Sequence, residues 1–119
     1  MDIQLKRAYE DPSPSDGSRI LVDHLWPRGR SKETLKLSLW AKYVSPSNEV
    51  RDDFCHIPEK FPAFRKAFTA ELNANPRKDE FLDFVRAEMK KGPVTLVYGA
   101  KDEEHNNAVV LREWLKKKL

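Results

Sequence analysis

At 119 residues, 39% of them hydrophobic and 34% charged, the chain has the size and composition of one soluble globular domain, 1–119, and is too short for two. No apolar run approaches the roughly 20 residues that cross a bilayer, and the start, Met1-Asp2-Ile3-Gln4-Leu5-Lys6, lacks the order of a signal peptide, so a cytoplasmic address and no membrane partner are expected. The net charge of +3 is mild, and the single cysteine, Cys55, excludes an internal disulfide and a cysteine zinc cluster.

Alternating strand and helix patterns predict an α/β fold: a small, mostly parallel central sheet flanked by helices in two or three layers. Ile3 to Tyr9 alternates apolar and polar residues, as a half-exposed strand does. Asp11 to Ser18, with two prolines, a glycine and three serines, is a loop. Arg19 to Asp23, through Ile20-Leu21-Val22, reads as a buried strand.

That strand opens directly into Asp23-His24-Leu25-Trp26-Pro27-Arg28-Gly29-Arg30-Ser31-Lys32-Glu33. A plain turn needs none of these polar groups, so their density marks a site. Arg28, Arg30 and Lys32 flank Gly29, and Ser31 is placed to cap a short helix through Glu33 and Thr34, gathering cations and backbone donors around one anion. The competing explanation is a basic surface turn in which Trp26 is packed and Asp23 pairs with an arginine. The clustering of Asp23, His24 and Trp26 with the cations favours the anion site, although the loop is neither a Walker motif nor a dinucleotide fingerprint.

Leu35 to Val44 is ambiguous between an edge strand and a packed turn. Ser45-Pro46 and Asn75-Pro76 each put a capping side chain before a proline, predicting helix starts there. Phe64, Phe68 and Leu72, then Phe81, Leu82, Val85 and Met89, recur at helical spacing and read as core. Cys55 and His56 are adjacent, but neighbouring side chains rarely point together and nothing nearby lowers the thiol pKa, so the pair is read as incidental.

Pro93 to Tyr98 reads as the second central strand. It leads through Gly99-Ala100-Lys101-Asp102-Glu103-Glu104-His105-Asn106-Asn107 into an amphipathic helix carrying Ala108, Leu111, Trp114 and Leu115, with Asp102 expected as its cap and Glu103 and Glu104 in its first turn. If the two central strands are parallel neighbours, their exit loops lie side by side where open α/β sheets bind ligands. Strand order stays open, because Glu10 to Ser18 is short for a parallel crossover of about a dozen residues, and a hairpin between the first two strands is the other solution.

The runs Ile20 to Gly29, Pro46-Ser47-Asn48-Glu49-Val50-Arg51 and Gly92 to Asn106 together resemble the YeaO-like family of bacterial proteins, domain of unknown function 488. The resemblance covers nearly the whole chain. It implies a single α/β domain and names no activity. The wider family carries a cysteine at the second strand's end and a cysteine-histidine-arginine run at the following helix start. Here those places hold Tyr98 and Asn106-Asn107-Ala108, so thiol chemistry is not carried over. Cys55 stands where similar proteins carry glycine.

The expected function is binding of a small anionic, phosphate-bearing ligand at the junction of the two loops. Arg28, Arg30 and Lys101 would hold the anion, with His24, Trp26, Ser31 and Asn106 completing the binding set. Asp23 and His105 are the candidate acid and base if there is catalysis, and hydrolysis or group transfer is then the natural class. No metal site is assigned, since Asp23, His24 and His105 would hold one only by converging, and the cofactor is left unknown. The alternative is a nucleic-acid-binding accessory module that uses the same arginines, Trp26 for stacking and Lys116-Lys117-Lys118, a run that reads first as a solvated helix end. A third reading makes Trp26-Pro27-Arg28-Gly29 part of a protein interface. Ligand, reaction and oligomeric state are unassigned at this level.

Overall fold

The structure, a computed structural model, describes residues 3–119. In chain order it contains β1 (Ile3–Arg7), β2 (Ser18–Leu21), α1 (Lys32–Leu35), β3 (Leu39–Trp40), α2 (Asn48–Phe54), α3 (Phe61–Ala74), α4 (Lys78–Lys91), β4 (Val94–Tyr98) and α5 (Asn107–Lys118). The strands form one sheet in the order β1-β4-β2-β3, and every neighbouring pair is parallel. This is the α/β fold that the alternation predicts, and the ambiguous segment 35–44 contributes the edge strand β3.

All five residues of β4 are buried, because a central parallel strand has both faces covered and so reads as an apolar run. Its register with β2, from Ser18 opposite Val94 to Leu21 opposite Val97, makes the two expected central strands direct neighbours. The hairpin solution for β1 and β2 does not occur, since β1 pairs with the far side of β4. Residues 8–17 return over one face of the sheet without a helix. A 3-10 turn at Pro14–Asp16 tightens that path, and the Asp16 carbonyl accepts from Thr95 Oγ1 at 2.7 Å on the strand beneath. Gly17 makes the closest approach: its φ is +64°, and a Cβ there would lie 2.1 Å from the Pro93 carbonyl oxygen.

Alternate residues send the two sheet faces to different layers. Ile3, Ile20, Val22, Val94, Leu96 and Tyr98 meet the side of α2 to α5, where Phe64, Phe68 and Leu72 of α3 and Phe81 and Val85 of α4 form the stripes expected from spacing. Burial of side chains this large contributes roughly 1.5–3 kcal/mol each and is the main source of stability. The opposite face is thin. Leu21 and Val97 pack there with Ala8, Leu35, Trp26 and Trp40, the two indoles edge to face with centroids 5.3 Å apart.

Beside this thin layer lies a closed ion network. The Asp16 carboxylate is 2.7 Å from Arg19 Nη1 and 3.0 Å from Lys6 Nζ, and also accepts from the Ser13 N–H. Burial pushes the Asp16 carboxyl up, but the Ser13 N–H, Lys6 and Arg19 outweigh it and hold it below its ordinary value.

Three helix starts differ from expectation: another residue caps α2 and α5, and α4 starts without a side-chain cap. Ser47, two residues past Ser45, caps α2 by accepting from the Val50 N–H, while Pro46 is buried in the preceding turn. Asn75 closes α3, and its amide is drawn off to the Tyr43 carbonyl at 2.8 Å, so α4 begins only at Lys78. Asn106 caps α5 through the Val109 N–H, leaving Asp102 to close the preceding loop through the Glu104 and His105 N–H groups and placing Glu103 and Glu104 before the helix. Ser31 does cap α1, accepting from the Thr34 N–H at 3.1 Å.

Candidate functional site at the carboxyl edge of the sheet

The exits of β2 and β4 are held together by one side chain. Asp23 follows β2, and its Oδ2 accepts from the Gly99 N–H after β4 at 2.7 Å while its Oδ1 accepts from Asn107 Nδ2 at 3.2 Å. Asn107 also donates to the Val22 carbonyl, so the start of α5 is tied to the same strand end. Gly99 lets the chain come this close: a Cβ there would stand 3.2 Å from Asp23 Oδ2. Burial pushes the Asp23 carboxyl above its ordinary value, and the Gly99 N–H, Asn107, His56 and Arg51 only partly pull it back.

These exits open into a cavity of about 290 Å³. The opposite wall comes from α2 and the turn after it. Arg51 sits one turn into α2, where Nη2 donates to Asn48 Oδ1, while its Nε is shut off from solvent without a partner. No ion pair among the described residues includes Arg51. Helix α2 ends at Cys55, whose φ is 46°, and His56 follows at 54°. Two successive left-handed residues bend the chain sharply and set His56 on the cavity wall, with its ring 5.8 Å from that of Phe54.

His24 completes the polar lining. Burial lowers its pKa, and Arg51 and Lys42 lower it further, so the imidazole is neutral at pH 7. The apolar part of the wall is Leu25, Pro46, Phe54 and Phe64, with Leu25 67% exposed at the rim. One clamped carboxylate, one guanidinium without an ion-pair contact and two imidazoles thus face a small, half-apolar hollow.

Of the residues expected at the site, Asp23, His24 and Asn106 line the cavity. Trp26, Arg28, Arg30, Ser31, Lys101 and His105 lie outside its lining. Trp26 packs on Trp40 over the thin face and donates to the Arg30 carbonyl at 2.5 Å. Arg28 and Lys101 are exposed, Ser31 is occupied as the α1 cap, and Arg30 Nε and Nη2 are shielded without partners. His105 is held by Asp102, Nδ1 to Oδ2 at 2.9 Å, and lies edge-on to Phe61 at 5.2 Å. Arg28 and His105 therefore share no part of this cavity. Among the described residues no three His, Cys, Asp or Glu side chains converge to hold a metal ion.

Arg51, His56 and Asn107 reach the cavity although sequence reasoning gave them no role there. Arg51 stood inside one of the runs that carries the family resemblance, which was the available signal. His56 was weighed only as a partner for Cys55, whose exposed side chain is not part of the lining.

Comparison with known proteins gives a consistent picture. The family model described as "Inactive DUF488-N3 subclade" matches residues 2–119. The chain is 42% identical over 116 residues to the uncharacterized protein YeaO of Escherichia coli K12, covering 98% of each chain. It is 34% identical over 113 residues to the uncharacterized protein Rv3073c of Mycobacterium tuberculosis H37Rv, covering 95% of this chain and 92% of that protein. No solved structure matches at a significant level. No helix among the described residues is long and apolar enough to cross a membrane.

Proposed function

The chain belongs to the YeaO-like DUF488 family, in the subclade designated inactive, and we propose that it works by binding a small anionic, phosphate-bearing ligand in the cavity rather than by catalysis. Arg51 carries this reading. A guanidinium whose Nε is buried without a partner, and which no carboxylate of the described residues reaches at ion-pair distance, costs free energy that a bound anion would recover. Arginine also offers a planar fork that suits phosphate or carboxylate.

The surroundings fit the same role. Asp23 is spent on the Gly99 N–H and the Asn107 amide, which take up both of its oxygens. His24 and His56 supply hydrogen-bond donors, and Phe54 and Phe64 receive an apolar portion of the ligand. The wider family's cysteine is replaced by Tyr98, which is buried in the core, so the cavity has no thiol nucleophile.

An extended nucleic-acid track is less well supported. The arginine-rich loop leaves the carboxyl edge of the sheet, whereas α5 starts at that edge and runs back over 12 residues, about 18 Å, before Lys116 to Lys118 are complete.

Titration of isotope-labelled protein with inorganic phosphate and ribose 5-phosphate tests the proposal. The Gly99 and Asn107 amide signals are expected to move in the wild type and to stay still in Arg51→Gln. Unmoved signals in the wild type would refute it.

A further inference from the structure

His24 is a wall shared by two hollows. Beyond the cavity that contains Arg51 lies an open groove of about 560 Å³, lined by His24, Trp40, Lys42, Tyr43, Arg77 and Glu80. The groove is built from aromatic faces. Trp40 is fixed by its indole N–H, which donates to the Asp23 carbonyl at 2.8 Å, so one end of the Asp23 segment braces the groove while its side chain braces the cavity. Tyr43 is backed edge-on by Phe81 and covered by the Arg77 guanidinium, 3.8 Å from the ring centroid. Lys42 stands over the Trp40 ring at 5.4 Å.

The two hollows offer different chemistry. In the groove, Glu80 already neutralises Arg77, with contacts of 2.7 and 3.2 Å, and the guanidinium covers Tyr43, so what the groove offers is the Trp40 indole and the outer plane of the Arg77 guanidinium. In the cavity, Arg51 has no ion-pair partner among the described residues and its Nε is unpartnered. A ligand that fills both puts its anion at Arg51 and its flat part at Trp40 and the Arg77 guanidinium over Tyr43, with a linker passing His24. Aromatic faces with flanking cations are the surface on which nucleobases stack.

We infer that the ligand is of the nucleotide class: a phosphate held by Arg51 in the cavity, joined through a sugar that passes His24 to a heteroaromatic base stacked in the groove on Trp40 and on the Arg77 guanidinium that lies over Tyr43. This deepens the anion-binding proposal and rests on it. The same chemistry is offered by a free nucleotide and by the 5′-phosphorylated end of a nucleic-acid strand.

The experiment compares inorganic phosphate, ribose 5-phosphate, adenosine monophosphate and a short single-stranded oligonucleotide with and without a 5′-phosphate. Affinity is read by calorimetry, and contact by the amide signals of Gly99 and Asn107 and the indole N–H signal of Trp40. Adenosine monophosphate is expected to bind on the order of tenfold more tightly than ribose 5-phosphate and, unlike it, to move the Trp40 signal. The Trp40 readout needs no variant. Tyr43→Leu, accepted only if its fold is intact, is expected to remove most of that tenfold difference and leave ribose 5-phosphate binding unchanged. If the sugar phosphate binds and the base adds neither affinity nor a Trp40 shift, the nucleotide inference falls while the anion site stands. If no phosphate compound moves Gly99 or Asn107, both fall. Oligonucleotide binding that requires the 5′-phosphate supports the inference with a strand end as the source, and oligonucleotide binding indifferent to that phosphate, without nucleotide binding, overturns it.

Discussion

The chain contains two aspartate and arginine groups built from the same residue types to opposite effect. Under the thin face of the sheet, Asp16 lies 2.7 Å from Arg19 and 3.0 Å from Lys6, and its carboxyl is held below the ordinary value. At the carboxyl edge, Asp23 gives its oxygens to the Gly99 N–H and the Asn107 amide, Arg51 pairs with no described carboxylate, and the Asp23 carboxyl is pushed up. Arg19 also leaves Nη2 without a partner, but it is only 3% exposed and its charge is met at close range. Matched charges in a sealed layer hold the chain together, whereas an unmatched charge facing a cavity leaves room for the charge of a ligand.

The largest expected effect separates the two groups by stability. Asp16→Ala leaves Arg19 as a buried charge without its partner and removes the acceptor for the Ser13 N–H, so it is expected to cost about 3–5 kcal/mol. Arg51→Ala loses one bond to Asn48 from a half-buried helix position and is expected to cost no more than about 1 kcal/mol. Urea denaturation of both variants checks this. Equal losses would erase the distinction between scaffold and site.

Asp23→Ala comes next, at about 1–3 kcal/mol, because the Gly99 N–H and the Asn107 amide each lose an acceptor. The two aspartates also differ in their response to pH. The folded Asp16 pKa lies below the ordinary 3.8, so its ionic contribution is full above 3.8 and is lost as pH falls through the folded value. The folded Asp23 pKa lies above 3.8, so its protonation favours the fold: that contribution is full below 3.8 and is lost as pH rises through the folded value. Denaturation at several acidic pH values should therefore show the penalty of Asp16→Asn shrinking as pH falls and that of Asp23→Asn growing.

Much of this arrangement was legible before any coordinates. The apolar runs at Ile20 to Val22 and Val94 to Tyr98 identified the central strands, because burial on both faces leaves a direct mark on composition. Asp23 and His24 were legible for a related reason: polar residues at the end of a buried strand must either find partners or face a cavity. The far wall was not legible. Arg51 lies 28 residues beyond Asp23 on a short helix with no glycine or motif chemistry of its own, and the packing of α2 on α3, invisible to periodicity, brings it back to the sheet edge. Capping residues near Pro46, Pro76 and Asp102 misled for a similar reason, since serine, asparagine and aspartate suit turns as well as helix starts.

A third outcome sharpens the description of the cavity. His24 is kept neutral near pH 7 by burial and by Arg51 and Lys42, and an anion placed beside it favours the imidazolium. Anion affinity should then rise as pH falls through neutrality and level off below the pKa of the free protein. Sulfate is the suitable probe because it does not titrate in this range. An increase of up to about tenfold between about pH 7.5 and about pH 5 corresponds to a one-unit rise in pKa on binding. His24→Gln should remove the larger part of that rise, and a flat wild-type profile would place the anion away from His24.

The smallest effect concerns the bend that carries His56. Cys55 and His56 both occupy the left-handed region, where a side chain costs about 1–2 kcal/mol, yet the two positions differ in what that strain achieves. Cys55 is exposed, lies outside the cavity lining and serves only to end α2. Cys55→Gly relieves its strain and, after the added entropy of the unfolded chain, is expected to stabilise by about 0.5–1 kcal/mol with anion binding unchanged. His56→Gly relieves similar strain, so thermal denaturation should show a gain of the same order, but it removes an imidazole from the cavity and should weaken sulfate binding. If His56→Gly binds sulfate as the wild type does, the second left-handed residue merely completes the turn, and the anion is held by Arg51 and His24 alone.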